Sequence, residues 1–170
     1  MLRFQLNISP TSQQRHRSQF LGKDGKPLRN RCGKYFSINY DPSKKYKEMV
    51  RLLIVQKLRE RYPNFVMLNE PLEVNIVFIM PRPLSAKKKF WCDVDKDLDN
   101  LSKAIWDAMN KVVYFNDSRI VKATVEKVYP CKVSVEGAGL TVGVRIEIKK
   151  PTSAMCTRPD WADDFEKSGE

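Results

Sequence analysis

The spacing of apolar positions along the chain predicts five β-strands. Residues 2–8 alternate strictly between apolar and polar side chains, which is typical of a half-buried strand. Further strand-like runs occur at 72–80, 112–115, 120–129 and 140–148. A short alternation over 34–40 leaves a sixth strand open.

Two stretches repeat apolar residues at helical spacing. The first helix is predicted to begin at Pro42-Ser43 and to end near Arg61-Tyr62-Pro63. The second follows an acidic segment, and we expect Asp99, Lys103 and Asp107 on its polar face, opposite the apolar one. The two apolar stripes are formed by Tyr46, Val50, Leu53, Ile54 and Leu58, and by Leu101, Ala104, Ile105, Ala108 and Met109.

The order of these elements, β-α-β-α-β-β-β, predicts a single α/β domain of the mixed α+β kind, with two main helices packed on a mixed sheet. A length of 170 residues is typical of one domain. We expect that domain to cover residues 1–150, with a basic arm or flap at 9–33, and an acidic tail to follow at 151–170. An unstructured surface loop fits 9–33 equally. The tail reads equally as disordered, as a partner-binding peptide or as a mask over the basic surface.

Composition excludes several classes of protein. No apolar run approaches the roughly 20 residues of a membrane helix, and the chain opens without a signal-peptide pattern. The four cysteines lie far apart and there is a single histidine, which makes a structural zinc site improbable. The simplest interpretation is free thiols in a reducing cytoplasm.

The charge of the chain predicts a polyanionic partner. The net charge is +11, and because the tail carries two bases and five acids, residues 1–150 carry +14. Nucleic acid is the first expectation for such a surface, although solubility explains part of it. Lysines beside Phe90 and Trp91 suit phosphate contacts with stacking on a base, but a solvated lysine run fits equally. The candidate DNA-binding residues are Arg15, Arg17, Lys87, Lys88, Lys89 and Lys96.

A cluster of acids in this basic chain predicts a metal site. Asp97 and Asp99 lie two residues apart, where an extended backbone would place them on one face, and Asp117 follows after one helix and a short strand. Clustered carboxylates repel each other unless a cation lies between them, and hard Mg²⁺ prefers carboxylate oxygens. Lys103 lies one helical turn beyond Asp99, where it would stabilise negative charge on a phosphate. These parts suit a metal-activated water that attacks a phosphodiester.

Other interpretations of the acids fit less well. A calcium-binding EF-hand loop starting at Asp95 would place Asn100 where Gly is required and Trp106 where a bidentate Glu is required. Helix capping accounts for one residue of the segment, Asp99 or Asn100. The Asp-x-Asp of a nucleotide-sugar transferase is a poor match for such a basic chain. A solvated acidic lead-in remains the alternative to a metal site.

The segment 96–121 resembles the RusA family of Holliday junction resolvases. The similarity is carried by Lys96-Asp97-Leu98-Asp99-Asn100-Leu101-Ser102-Lys103-Ala104, by Trp106-Asp107-Ala108-Met109 and by Asn116-Asp117-Ser118-Arg119-Ile120-Val121. The resemblance implies metal-binding acids at Asp97, Asp99 and Asp117 and a catalytic lysine at Lys103. Asn116 departs from the family pattern, in which an Asp is usual at that position.

The resemblance further implies a homodimeric enzyme that depends on Mg²⁺, with Mn²⁺ as a substitute, and nicks four-way DNA junctions symmetrically. Such enzymes are common in phage and prophage genomes, so the bacterial host cytoplasm is the expected location. Two alternatives stay open at this point. One is a nuclease for flaps or other branched DNA, and the other is a non-catalytic nucleic-acid-binding protein.

Overall fold

A four-stranded mixed sheet supports the rest of the chain. The computed structural model describes residues 1–22, 24–87, 89–93, 96–130 and 141–151. Its strands and helices are β1 (Leu2–Leu6), β2 (Arg17–Gln19), β3 (Ile38–Tyr40), α1 (Lys44–Arg61), β4 (Leu72–Ile79), α2 (Leu98–Met109), β5 (Ile120–Val128) and β6 (Gly143–Lys149). The main sheet has the order β1-β6-β4-β5, and the predicted fold class is confirmed.

Strand β4 is the buried centre of this sheet. Ile76 lies opposite Ile146 of the antiparallel β6 and opposite Val125 of the parallel β5. Most residues of β4 are buried, so the strand needs apolar side chains on both faces. The run Leu72–Ile79 supplies them, which is why this strand is so evident in the sequence.

Both helices bury the apolar stripes that their sequences predict. In α1 the fully buried positions are Val50, Ile54 and Leu58. Helix α2 buries Leu101, Ala104, Ile105, Ala108 and Met109, together with Ser102. The hydroxyl of Ser102 donates to the Leu98 carbonyl at 2.7 Å, which satisfies this polar group inside the core.

The strand predicted at 112–115 is wrong. Residues 111–113 form a turn after α2, in which the amides of Val112 and Val113 both donate to the Met109 carbonyl. Only Tyr114 makes strand-like bridges, to Leu68 and to Asn110. Val113 and Tyr114 are apolar because they close the end of α2 against the core, and a short buried run does not separate this role from a strand.

Residues 17–40 form a small separate structure instead of an unstructured arm. Strand β2, inside the predicted arm 9–33, pairs antiparallel with β3, inside the run 34–40 that had left a strand open. This two-stranded ribbon is not hydrogen-bonded to the main sheet, and its strand residues are exposed. The predicted tail begins at 151, so nearly all of it lies outside the described residues and the boundary at 150 stays a prediction.

Two further features bear on the chemistry available. Cys32 is exposed as a free thiol, and Cys92 is buried; Cys131 and Cys156 lie outside the described residues. In the part of the chain that the structure describes, no helix is long and apolar enough to cross a membrane.

An ion-pair network joins the two helices. Lys47 of α1 places its Nζ 2.5 Å from Asp41 Oδ2 and 3.1 Å from Asp107 Oδ2 of α2. Asp107, predicted on the polar face of α2 with Asp99 and Lys103, is thus paired with a residue of α1. Partial burial raises the pKa of the Asp41 carboxyl, but hydrogen bonds from Lys47 and the Ser43 amide outweigh it, and the pKa falls below its usual range.

Replacing Lys47 with Met should lower the free energy of unfolding by about 1–3 kcal/mol, because two partly buried carboxylates lose their hydrogen-bonded cation. Since the pKa of Asp41 is lowered in the folded state, this stabilisation is present above the ordinary carboxyl pKa and is lost as the pH falls through the lowered one. Urea unfolding at several pH values measures both effects.

Lys44→Met is the matched control, because Lys44 lies on the same helix and its ion pair is weak. The pair with Glu48 is exposed, and its atoms are 3.9 Å apart. We expect it to change the stability by less than about 0.5 kcal/mol. Equal effects of the two substitutions would contradict a special role for Lys47.

Candidate active site and nucleic-acid interface

Asp97 and Asp99 lie at the beginning of α2. Asp97 is the N-cap residue, with an extended backbone (φ −65°, ψ 139°), and Asp99 is in the first helical turn. The sequence predicted an extended backbone through both acids, but the helix already includes Asp99. The two carboxylates therefore do not lie on one face of an extended segment. Because Asp97 precedes the helix, the direction of its side chain is not set by the helical repeat either.

The carboxylate of Asp97 is not used as a helix cap. Asp is among the best capping residues, and a cap contributes typically about 1 kcal/mol, yet the Asp97 side chain makes no capping hydrogen bond. Among the described residues, its side chain accepts one long hydrogen bond, from the Asn100 side-chain amide to Oδ2 at 3.4 Å. Capping therefore does not explain why an acid stands at this position.

The three candidate metal-binding acids are also without cationic partners. Among the described residues no lysine or arginine forms an ion pair with Asp97, Asp99 or Asp117, and all three are exposed. Asp93, four residues before Asp97, differs. Its Oδ2 lies 2.6 Å from Lys89 Nζ, and this hydrogen bond lowers the pKa of the Asp93 carboxyl. The acidic segment thus contains Asp93, which is paired with a lysine, followed by Asp97 and Asp99, which form no ion pair among the described residues.

Lys103 projects from the same helix, one turn beyond Asp99. The side chain is exposed, and although acid–base pairs at this spacing commonly interact, no ion pair joins the two. Within the described ranges, an ammonium and two carboxylates stand near the start of one helix without neutralising each other. Such a group has capacity for a cation and for a phosphate.

The backbone immediately before Asp97 is strained and held from two sides. Lys96 has a φ of 55°, in the left-handed region that non-glycine residues rarely adopt. Its Nζ donates to the Pro10 carbonyl at 2.6 Å, and its own carbonyl accepts from Lys127 Nζ at 2.9 Å. One donor of the predicted DNA-binding Lys96 is therefore used inside the protein, where it fixes the approach to Asp97.

Asp117 is placed towards the other end of α2. It begins a short 3-10 helix, Asp117–Arg119, and lines an open groove of about 410 Å³ with Trp106 and the first residues of β5. Burial, followed by the charges of Asp117 and Asp107, raises the pKa of Tyr114, whose hydroxyl donates to the Trp106 carbonyl. Trp106 lies roughly 12 Å along the helix axis from Leu98, at about 1.5 Å per residue.

Across the described ranges, no three Asp, Glu, His or Cys residues are grouped closely enough to hold one metal ion. Asp97, Asp99 and Asp117 therefore do not form such a group in this structure. The donors nevertheless fit a hard cation, because Mg²⁺ is usually bound by one or two carboxylates and completes its shell with water and substrate phosphates. Asp97 and Asp99 supply such a pair.

The basic arm passes over the beginnings of both helices. The Gln13 amide donates to the Asn100 carbonyl in the first turn of α2 at 2.9 Å, and the Gln14 amide donates to Ser43 Oγ, before α1, at 2.8 Å. The exposed Arg15 and Arg17 follow directly. Two of the predicted DNA-binding residues are therefore near the acid pair, through contacts that no sequence pattern announces.

The second basic segment lies on the chain just before the acids. Lys87 and Lys89 are exposed, and Lys89 is partly neutralised by Asp93. Lys88 lies outside the described residues. Sequence reasoning missed Lys127, whose side chain and carbonyl hold this segment and Lys96 in place, because the contact joins positions 31 residues apart.

An exposed acid pair and a lysine that forms no ion pair with it, bordered by basic segments on a mixed α+β domain, fit an enzyme that acts on nucleic acid. The family model described as Endodeoxyribonuclease RusA matches residues 7–148, most of the chain, and this protein belongs to that family. The family consists of Holliday junction resolvases, which generally depend on a divalent metal and bind branched DNA. No curated protein matches the chain.

Asn116, which departs from the family pattern, has a structural role that an Asp could also perform. Its Oδ1 accepts from the Ser118 amide at 3.1 Å and so caps the turn that carries Asp117. We expect Asn116→Ala to lower the free energy of unfolding by about 0.5–2 kcal/mol, because the cap is lost. Asn116→Asp keeps the acceptor and should remain near wild type. Urea unfolding of both variants measures this, and equal stability of all three proteins would contradict the capping role.

Proposed function

We propose that this protein is a Mg²⁺-dependent endodeoxyribonuclease that resolves four-way DNA junctions by symmetric paired nicks. The observation that carries the proposal is the unneutralised group at the start of α2, formed by Asp97, Asp99 and Lys103. A basic protein has a surplus of cations with which to neutralise its acids, so open carboxylates at this place are best explained by an ion and a substrate that arrive together.

Asp97 and Asp99 would hold the metal ion, with Asp117 as the third metal-binding acid and Mn²⁺ as a possible substitute for Mg²⁺. The bound ion would activate a water molecule and would place its positive charge next to a phosphate oxygen. Lys103 would contribute a second positive charge where the pentavalent phosphate develops negative charge. The amides in the first turn of a helix have no partner within that helix, so the beginning of α2 would favour the approach of a phosphate to the same place.

Six basic residues are proposed to bind the DNA backbone. Support comes from the exposure of Arg15, Arg17, Lys87 and Lys89 and from the path of the arm across the first turn of α2. Such contacts depend on charge and not on base sequence. The full set is Arg15, Arg17, Lys87, Lys88, Lys89 and Lys96.

A homodimer is part of the proposal, because two coordinated cuts in strands of like polarity match a two-fold enzyme on a two-fold substrate. Strand β5 supports this. It is the nine-residue edge strand of the sheet. Residues 90–92 pair with its end, but most of its side chains are exposed, including Val121 at 61%. Long open edges are usually covered in native proteins, and a second copy is one way to cover them. We place the enzyme in a bacterial host cytoplasm, encoded by a phage or prophage, and the free thiol of Cys32 supports a reducing environment.

Cleavage of a labelled synthetic four-way junction tests the proposed activity. Wild type should introduce paired nicks with Mg²⁺ and none with EDTA, whereas linear duplex of the same sequence should stay intact. Asp97→Asn and Asp99→Asn should lower the cleavage rate at least about 100-fold while junction binding survives, because metal-supported charge stabilisation is lost and the basic surface is kept. Lys103→Ala should slow cleavage with binding largely unchanged.

Asp93→Asn is the matched control, since Asp93 lies in the same acidic segment but is paired with Lys89. We expect it to cut at nearly the wild-type rate. An active Asp99→Asn enzyme would refute the metal assignment. Equal cutting of flaps and four-way junctions would favour a broader nuclease for branched DNA, and tight binding without cutting under any divalent metal would leave a binding protein.

The basic residues are tested through salt dependence. Removing one phosphate contact, as in Arg15→Ala or Arg17→Ala, should weaken binding to junctions of any sequence and reduce the slope of log K against log salt by about one. Fluorescence anisotropy in EDTA across a series of salt concentrations gives this slope. Arg59→Ala, near the end of α1 and distant in sequence from the predicted contacts, should leave it unchanged.

A further inference from the structure

Two neighbouring aromatic side chains are held out in solvent just before the acidic segment. Phe90 and Trp91 are 45% and 58% exposed, and their rings meet edge to face with centroids 5.0 Å apart. Exposing two large rings at one place forgoes a considerable amount of hydrophobic burial. The chain therefore needs either a loose loop or a function to explain the pair.

The backbone of this segment is not loose. The Tyr129 amide donates to the Phe90 carbonyl at 2.8 Å, and the Cys92 amide donates to the Lys127 carbonyl at 3.0 Å. Cys92 itself is buried in the core. The exposed pair is thus attached to the end of β5 on both sides, and its exposure is imposed by the fold.

A single arginine fixes the loop that precedes the pair. The guanidinium of Arg82 donates to the carbonyls of Ala86, Lys89 and Pro130 at 2.6, 2.5 and 2.7 Å, and lies over the Tyr129 ring at 5.1 Å. A charged side chain spent on internal carbonyls holds one loop shape. Rings presented on a rigid mount lose little freedom when they bind a flat partner, which favours binding.

The mount also connects the rings to the acid pair. Lys127 accepts from Cys92 through its carbonyl and donates through Nζ to the carbonyl of Lys96, which directly precedes Asp97. Phe90-Trp91 and the beginning of α2 are therefore held by the same residue of β5. Lys87 and Lys89 border the rings, and the neighbouring acid Asp93 is neutralised by Lys89.

We propose that Phe90 and Trp91 form a stacking element that binds an unstacked base or an exposed base-pair face at the branch point of DNA. Two exposed aromatic rings with lysines nearby suit a DNA base whose flat face is exposed next to backbone phosphates. Branched DNA exposes such faces at the branch point, whereas regular duplex stacks its bases on each other. The inference rests on the proposed function and deepens it. Because the rings and the acids are attached to one strand, the element sets the distance between the branch point and the cut.

Binding without cleavage tests this directly. In EDTA, Trp91→Ala and Phe90→Ala should each weaken binding to a four-way junction by roughly 5- to 100-fold, the factor that corresponds to one lost base–aromatic stack. Binding to linear duplex of the same sequence should stay within about twofold, because the phosphate contacts remain. Trp91→Phe keeps a π-face and should recover most of the affinity.

Leu84→Ala is the matched control, since Leu84 is 85% exposed on the same loop but cannot stack on a base. It should bind both DNAs as wild type does. With Mg²⁺, the nicks made by Trp91→Ala should spread over neighbouring phosphates, because the branch point is no longer held at one distance. Urea unfolding confirms that each variant is folded.

The outcomes separate this inference from the proposed function. If wild type neither prefers nor cuts junctions, the proposed function fails. If wild type does both and Trp91→Ala keeps the full junction preference and a sharp cut, only the stacking element is refuted. An equal loss on duplex and junction also refutes it, and so does a change in the oligomeric state of Trp91→Ala, which would place the rings in an interface between two copies.

Discussion

Burial of one face of α2 is the constraint on which the site depends. The five apolar residues of that face pack into the core beneath the sheet, and this fixes both the rotation and the depth of the helix. The N-terminus of α2 then lies at the surface, with Asp97 outside the helix and Asp99 and Lys103 on exposed positions. The ion pair from Lys47 to Asp107, near the other end of the helix, attaches α2 to α1.

Many acids of the described residues are paired with a lysine or arginine, and the three proposed metal-binding acids are not. Asp41, Asp93 and Asp107 each have a lysine close by, and so does the buried Glu73, which lies between Lys122 and Lys149. Asp97, Asp99 and Asp117 have none among the described residues. A buried charge must be paired to remain charged, whereas an exposed charge can remain unpaired. The exposed, unpaired acids are therefore the ones that could accommodate a metal ion.

Several basic residues form hydrogen bonds inside the protein that hold the loops around the candidate site in place. Arg82 holds the loop before Phe90, Lys96 binds the carbonyl of Pro10, and Lys127 joins the loop to the beginning of α2. A count of lysines and arginines thus overstates the charge that is available to DNA. The exposed Arg15 and Arg17 owe their position near the acids to two backbone amides of the preceding residues.

The sequence by itself determined the fold class, both helices, the long strands and the family, because each rests on local periodicity or on a short motif. It was wrong at 112–115, since a buried turn and a strand share one apolar pattern. It did not predict the ion pair from Asp107 to Lys47, because a contact with another helix leaves no local trace in the sequence. Only the tertiary structure decided which acids are neutralised, how the arm crosses the two helices and that Phe90 and Trp91 are held in solvent. These properties come from contacts between residues far apart in the chain, and such contacts exist only once the core has fixed where each element lies.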